Sequence, residues 1–551
     1  MAHFFDSWQD GKTDETDFFG FPFYFIIILL NFLTMQLSKL PILLLLLIAI
    51  GARVSAQNRY LEPVFSQASK TTDIYGANWT VLPLVAGTNT LKQPLQMQVY
   101  QPAGDIETER PLIIYLHTGN FFPYPQNGSC GGTLYDSSNV TFATRLAKMG
   151  YVVAVADYRL GWNPLASQEL VRRFTLINAA YRGVQDVRTC IRYFRKSVAE
   201  AGNPWGIDPN KIVVWGQGTG GYLSLATAYL DTFGEIYTTA DPNKFKLPVA
   251  PGVFIPMVQE FYNGDNLGVQ AAPGVVDATY NAITGIPIGD TLYTQNHPGY
   301  SSEFQLAVNM GGALGDSSWM DAGDVPLISF HVPTDLFASC GTDVLIVPTV
   351  TGPQPVVEVS GSCDMQVIAD NLGLNTVFNA IPAGFDPIGA VSSSTHIGFY
   401  PFTGTPNNTS APWEWTPTDF APAPSPAAGC NTNGAAAYAY IDTIIAFFAP
   451  RACVALGLGC NFGAATHELN EQDLGLQVAP VPSSDAVTFT TKEAPIRHIY
   501  MYDLSGRLVK AHTNIDSNVF LMQRNSLTNG LYIAELRFDN GFVKCKIVFS
   551  N

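Results

Sequence analysis

The sequence predicts an α/β domain with a largely parallel sheet, followed by a small all-β module. Three observations carry this reading. Between Gln57 and Ala465 short apolar runs alternate with amphipathic stretches of helical period, as strands covered by helices on both faces do. From about Ala494 the period drops to two, with Ser-Gly and Asn-Gly pairs between the runs, which marks hairpins. Residues 466–490, polar and rich in Ala, Pro and Ser, read as a linker between the two. The expected division is therefore 57–465 for the α/β domain, 466–490 for the linker and 491–551 for the β module.

Composition narrows the function classes. Charged residues are 13% of the 551 and hydrophobic ones 47%, the reverse of a disordered chain. A net charge of −16 with no basic block argues against nucleic acid, whose phosphates need clustered Lys and Arg. No Cys-x-x-Cys pair or Cys/His ladder suggests a metal site, and no organic cofactor is implied.

The elements follow in order. Pro111–Leu116 is a buried strand ending at His117-Thr118-Gly119, and Thr141–Met149 is a helix leading to the strand Tyr151–Ala156. A long helix over Gln168–Ala201 places Val184, Val187, Ile191 and Phe194 at helical spacing. The strand Lys211–Trp215 runs into Gly216-Gln217-Gly218-Thr219-Gly220-Gly221 and a further helix. Residues 232–303, with Phe254, Phe261, Tyr262, Tyr280 and Tyr293, interrupt the alternation and read as a cap. The strand Phe304–Asn309 resumes it, and Val325–His331 is a strand trailed by Asp335; His396 follows the next strand-like region.

The N-terminal region carries an address. Met35–Ala56 has a lysine (Lys39), an apolar run (Leu40–Ile50) and small residues at Val54 and Ala56, the parts of a secretory signal peptide. Residues 1–34 lie upstream of that complete signal and read as a start-site overcall or an extra hydrophobic segment. Their apolar run Phe18–Leu33 is shorter than the ~20 residues of a membrane span. Export fits the eight cysteines as one to three disulfides, with Cys340–Cys363 and Cys430 with Cys453 or Cys460 as local pairs.

The His-x-Gly turn, Asp157-Tyr158-Arg159-Leu160, the run Gly206–Gly216 and the glycine-rich elbow together resemble the carboxylesterase/lipase branch of the α/β-hydrolases. The resemblance implies a nucleophile elbow G-x-S-x-G, in which Gly216 and Gly220 match the glycines and Gly218 stands where the serine would be. It implies Asp335 as the triad acid, His396 as the base, and the N–H groups of Gly119 and Thr219 as the oxyanion hole. His117 is expected to be structural. Read alone, Gly216, Gly218 and Gly221 also fit a dinucleotide fingerprint, but no acidic residue ends a following strand at the required distance.

A glycine at the elbow removes the oxygen that would form an acyl-enzyme. The expectation is a pseudo-hydrolase that binds a small-molecule or ester-like ligand in the acyl pocket, a state with precedent in the cholinesterase-like adhesion proteins. The alternative is an active hydrolase of carboxylic or carbohydrate esters using water activated by His396 and Asp335, or another nucleophile. The C-terminal run Tyr502–Val509, Asn529-Gly530-Leu531-Tyr532-Ile533 and Lys546-Ile547-Val548 resembles the type IX secretion sorting domain of Bacteroidetes. That implies the secretion machinery as partner and a secreted or outer-surface location, with a membrane involved only in export or anchoring.

Overall fold

The computed structural model describes residues 59–551, apart from 125, 128, 336, 350–351, 383–384, 406–408, 416–428, 461, 463–468, 505–507, 514, 526 and 539–540. The signal peptide and residues 1–34 lie outside the described residues. So does the Ser505-Gly506-Arg507 turn of the C-terminal motif.

Eight strands build the main sheet: β1 (Ala68–Val81), β2 (Thr90–Pro102), β3 (Arg110–Leu116), β4 (Val152–Ala156), β5 (Ile207–Gln217), β6 (Leu306–Met310), β7 (Leu327–His331) and β8 (Phe399–Pro401). Their spatial order is β1-β2-β4-β3-β5-β6-β7-β8. The strands from β4 through β8 run parallel, and β2 lies antiparallel to both its neighbours. Every residue of β3, β4, β6 and β7 is buried, because helices cover both faces of a parallel sheet. The hairpin β1–β2 was not read from the sequence.

Five helices matter for the site: α1 (Ser137–Lys148), α2 (Glu169–Glu200), α3 (Thr219–Tyr229), α4 (Ser362–Leu372) and α5 (Gly434–Ala455). Alternate strand residues point to opposite faces, so the core has two halves. Ile113, Val153 and Val155 pack with Phe142 of α1 and Ile444 and Phe448 of α5. Leu112, Ile114 and Ala154 pack with Val184 and Ile191 of α2 and Leu223 of α3.

α2 also carries a polar face that is fully enclosed. Arg159 donates from Nε to both Asp186 carboxylate oxygens at 2.9 Å, and its backbone N–H donates to Asp186 at 2.8 Å. Farther along, Arg188 donates to the carbonyls of Asn266 and Leu230, and Arg192 to those of Asn296 and Leu267. Buried carbonyls need donors, and these guanidinium groups satisfy an irregular insertion that has few ladder bonds of its own. This is how residues 232–303 are held on the domain.

The insertion does not use its aromatics as expected. Tyr262 and Tyr280 pack with Val81, Val276, Ile286 and Leu292 in a separate cluster, while Phe254 and Phe261 are exposed. A second addition, the hairpin Thr342–Thr349 and Gly352–Gly361, pairs with Ala313–Leu314 beyond β6 and had no clear sequence signal. Disulfides join Cys340 to Cys363, Cys453 to Cys460, and Cys130 to Cys430. The local pairing of Cys430 with Cys453 or Cys460 is thus replaced by a bridge across 300 residues. Spacing along the chain does not report which loops the fold brings together.

The C-terminal region consists of two antiparallel sheets. Gln477–Ala479, Ala486–Thr490 and Val519–Gln523 form one, and Leu508–His512, His498–Tyr502, Gly530–Phe538 and Gly541–Phe549 the other. Val487 and Phe489 of the first share a core with Met501, Leu536 and Ile547 of the second. Two strands of the smaller sheet fall within the stretch read as a linker, where Pro and Ser flank short period-2 runs.

Asp186→Ala leaves the enclosed Arg159 guanidinium without its carboxylate. The expected loss is about 3–5 kcal/mol in the denaturant unfolding of the full chain. A loss below about 1 kcal/mol contradicts the role given to this pair.

Candidate functional site

The site is built where β5 turns into α3. Gly218 at the turn has φ +51° and ψ −116°, a conformation glycine adopts without the Cβ penalty. The flanking glycines answer a different need, close backbone approach. A Cβ on Gly216 would lie 1.9 Å from the Gly220 carbonyl oxygen, and one on Gly220 2.3 Å from that of Leu116. The Gly218 N–H donates to the Met310 carbonyl at the end of β6 (2.8 Å), and its own carbonyl accepts from Gly221 N–H (2.9 Å). Beneath the turn, Gln217 accepts from the Tyr115 hydroxyl at 2.8 Å and donates to Asn139 at 2.9 Å. Asn139, the acceptor of a glycosylation sequon, is fully buried by this role.

The elbow has the backbone of a nucleophile turn, but the side-chain space is taken. A Cβ on Gly218 would stand 2.2 Å from Thr118 Oγ1 and 3.0 Å from Thr118 Cβ. Thr118, the middle residue of the His-x-Gly turn, occupies the volume that a side chain at position 218 would need.

Asp335 lies beyond the carboxyl end of β7, as expected. It accepts from the N–H groups of Phe337 (2.7 Å) and Ala338 (3.2 Å) and from the Ser410 hydroxyl. Burial raises its pKa, while His331 and these donors pull the other way. His396 is not brought to it. The strand β8 starts after His396, and in the parallel register Phe399 pairs with Ser329, so His396 belongs to the amino end of β8. There its Nδ1 bonds Asp370 of α4 at 2.5 Å. The sequence reading placed His396 after a strand because β8 is three residues long and follows the histidine directly.

None of the other described histidines lines the site either. His117 Nε2 faces Asp157 at 3.3 Å and Nδ1 faces the Thr118 carbonyl at 2.5 Å, while its ring stacks on Tyr158. Burial opposes its charged form, yet the Asp157 partner prevails and its pKa is raised. His331, inside β7, lies between Ser362 Oγ (2.8 Å) and the Ala338 carbonyl (3.0 Å), and burial lowers its pKa.

Gly119 (φ +135°) and Thr219 flank the elbow, and Thr219 lines the cavity. The N–H of Asn120, next along the turn, donates to the Thr219 hydroxyl at 2.7 Å and is thereby occupied. From this polar end the cavity, about 170 Å³, runs between α2, the insertion and the hairpin 342–361. Its walls are largely apolar: Leu176 and Val184 from α2, Ile236 and Phe245 from the insertion, Leu345 and Val357 from the hairpin. None of the five aromatics expected in the cap lines it.

One further residue stands at the polar end. Glu414 is 5% exposed, and no group among the described residues hydrogen-bonds its carboxyl. Burial first, then the charges of Asp136 and Asp335, push its pKa up to about 8.

Residues 97–250 match the family model BD-FAE, and residues 477–550 match the secretion system C-terminal sorting domain. The chain carries an esterase/lipase-like α/β-hydrolase domain and a type IX sorting domain. Secreted lipase 5 of Gibberella zeae is 26% identical over 174 residues, which cover 28% of this chain and 28% of the lipase. The chain therefore spans under a third of that relative's length. Thermogutta terrifontis esterase 2 phosphorylated by paraoxon is 19% identical, covering 49% of this chain and 73% of its own, with a TM-score of 0.25. A propionate-bound form of the Thermogutta terrifontis esterase is 18% identical over 49% and 74%, also with a TM-score of 0.25.

In this α/β-hydrolase domain Gly218, Thr219 and Asp335 come together, and His396 stands apart. Thr118, Ser410 and Glu414 were missed by sequence reading. Thr118 alone had a signal, as the residue inside the His-x-Gly turn.

Two predictions follow from the geometry. Gly218→Ser alone is expected to lower stability by about 1–3 kcal/mol through overpacking against Thr118, and Thr118→Gly in the same chain to recover most of it. Additive losses in a denaturation cycle would show that Thr118 is not the obstacle. The second concerns Glu414. Its native pKa lies above that of an unfolded glutamate, so between about pH 4.5 and 8 the native state holds a proton that the unfolded state has lost. Stability therefore falls as pH rises through that window. Glu414→Gln is expected to flatten this slope in melting curves taken from pH 4 to 9.

Proposed function

We propose that the protein is an exported, non-catalytic member of the hydrolase fold that binds a small, mainly apolar ligand in the former acyl pocket. The observation that carries the reading is the replacement of both reactive positions at once. Gly218 has no side chain and Thr118 fills its space, while Asp335 accepts from the Ser410 hydroxyl and from no imidazole among the described residues. Acyl transfer needs a nucleophile hydrogen-bonded to a base that an acid orients. Here the acid remains and the two groups it would serve do not. The cavity remains too; an apolar cavity of ~150 Å³ is large enough to take up benzene in another protein.

The reading in which His396 and Asp335 activate water needs both side chains at one place, and they belong to opposite ends of β7 and β8. The sorting domain implies an interaction with the secretion machinery and supports type IX export to the cell surface or beyond. Met35–Ala56 is proposed as the signal peptide for the first membrane, and 57–465 as the ligand-binding domain, capped by 232–303.

The test is hydrolysis of short- and medium-chain p-nitrophenyl esters by the full chain and by Asp335→Ala. The expected result is no turnover above the buffer rate in either. Turnover by the parent that Asp335→Ala abolishes would overturn the proposal.

A further inference from the structure

Asp335 and Glu414 are the only acidic residues lining the cavity, and no Lys, Arg or His lines it among the described residues. The two carboxyls are kept in different ways. Asp335 has two N–H groups and the Ser410 hydroxyl to hold it. Glu414 has none among the described residues, although it is 5% exposed and lines the cavity. An ionised carboxyl enclosed without a partner is strongly disfavoured, so in the empty pocket this group keeps its proton. An unpartnered acid is a poor structural element, because it contributes no bond and disfavours burial. It becomes favourable when a positive charge enters.

The surroundings suit such a charge. Aromatic side chains wall the same space, among them Trp162, Trp319, Trp413, Phe121 and Phe337. An aromatic ring attracts a cation set over its face, and more strongly where water is excluded. An anionic ligand would meet Asp335 and Glu414 with no compensating base. A neutral ligand could accept a hydrogen bond from protonated Glu414, but would leave the second carboxyl unused.

We infer that the pocket binds an organic cation, an amine or quaternary ammonium with an apolar body, whose charge lies at the Glu414–Asp335 end and whose body lies among the aromatic and aliphatic walls. This rests on the binding reading above and names its ligand class. Occupancy converts Glu414 to its carboxylate and releases one proton to solvent. The titratable groups facing Glu414 are Asp136 before α1, Asp335 after β7, Tyr115 on β3 and Tyr158 after β4. The two carboxylates among them oppose its ionisation in the empty pocket, and a cation reverses that balance.

The test is calorimetric titration of the full chain at pH 6 and pH 9 with benzyltrimethylammonium, neutral benzylacetone and anionic phenylacetate. The cation is expected to bind most tightly at pH 9 and to weaken about tenfold or more at pH 6, because protons then compete for Glu414. Glu414→Gln is expected to weaken it at least tenfold at pH 9, to remove the pH effect, and to leave benzylacetone binding unchanged. That last result also shows that the variant is folded. If benzylacetone or phenylacetate binds tightest, or if cation binding ignores both pH and Glu414→Gln, the inference fails while the binding reading stands. Absence of heat from all three compounds at both pH values also overturns it. The binding reading itself fails separately, by ester turnover.

Discussion

Backbone-on-backbone packing at the elbow is the constraint on which the site depends. Gly216 meets the Gly220 carbonyl, Gly220 meets that of Leu116, and a Cβ on Gly221 would stand 3.0 Å from Gly312 Cα. With no side chains between them, α3 seats directly against β3 and β6. That seating points the first turn of α3 at the carboxyl edge of the sheet, the crevice where open parallel sheets hold ligands. Leu116 of β3 and Leu223 of α3 share one half of the core, which packs the two elements of this junction together. These close approaches set the tight turn, at which position 218 carries no side chain.

Three contacts crowd the junction. Thr118 fills the volume beside Gly218, the Ser410 hydroxyl donates to Asp335, and Asn120 N–H is occupied by the Thr219 hydroxyl. All of these residues line the cavity, among them Thr118, Asn120, Thr219, Asp335 and Ser410.

Much of the fold was legible in the sequence because strands buried on both faces write continuous apolar runs, and because the elbow writes its glycines. Asp335 was legible for the same reason, trailing the apolar run of β7. His396 was misread because β8 offers three residues, Phe399–Pro401, with no run to mark where it begins. The wall-forming hairpin at 342–361 and the residues Ser410 and Glu414 lie in segments whose path depends on tertiary contacts. No local period distinguishes a glutamate beside a pocket from one on a surface turn. Thr118 was visible but uninterpretable, since its clash with position 218 exists only once β3 and β5 are neighbours.

The Cys130–Cys430 bridge joins loops at opposite ends of the α/β domain's sequence, one after β3 and the other after β8. Cys130 itself lines the cavity, and the segment carrying Ser410 and Glu414 leads to Cys430. A covalent clasp thus joins two segments at the polar end of the pocket, and it closes only where thiols are oxidised. In a reducing compartment, where thiols stay free, the same chain lacks that clasp. The cross-link at this end of the cavity is in this way tied to oxidising surroundings.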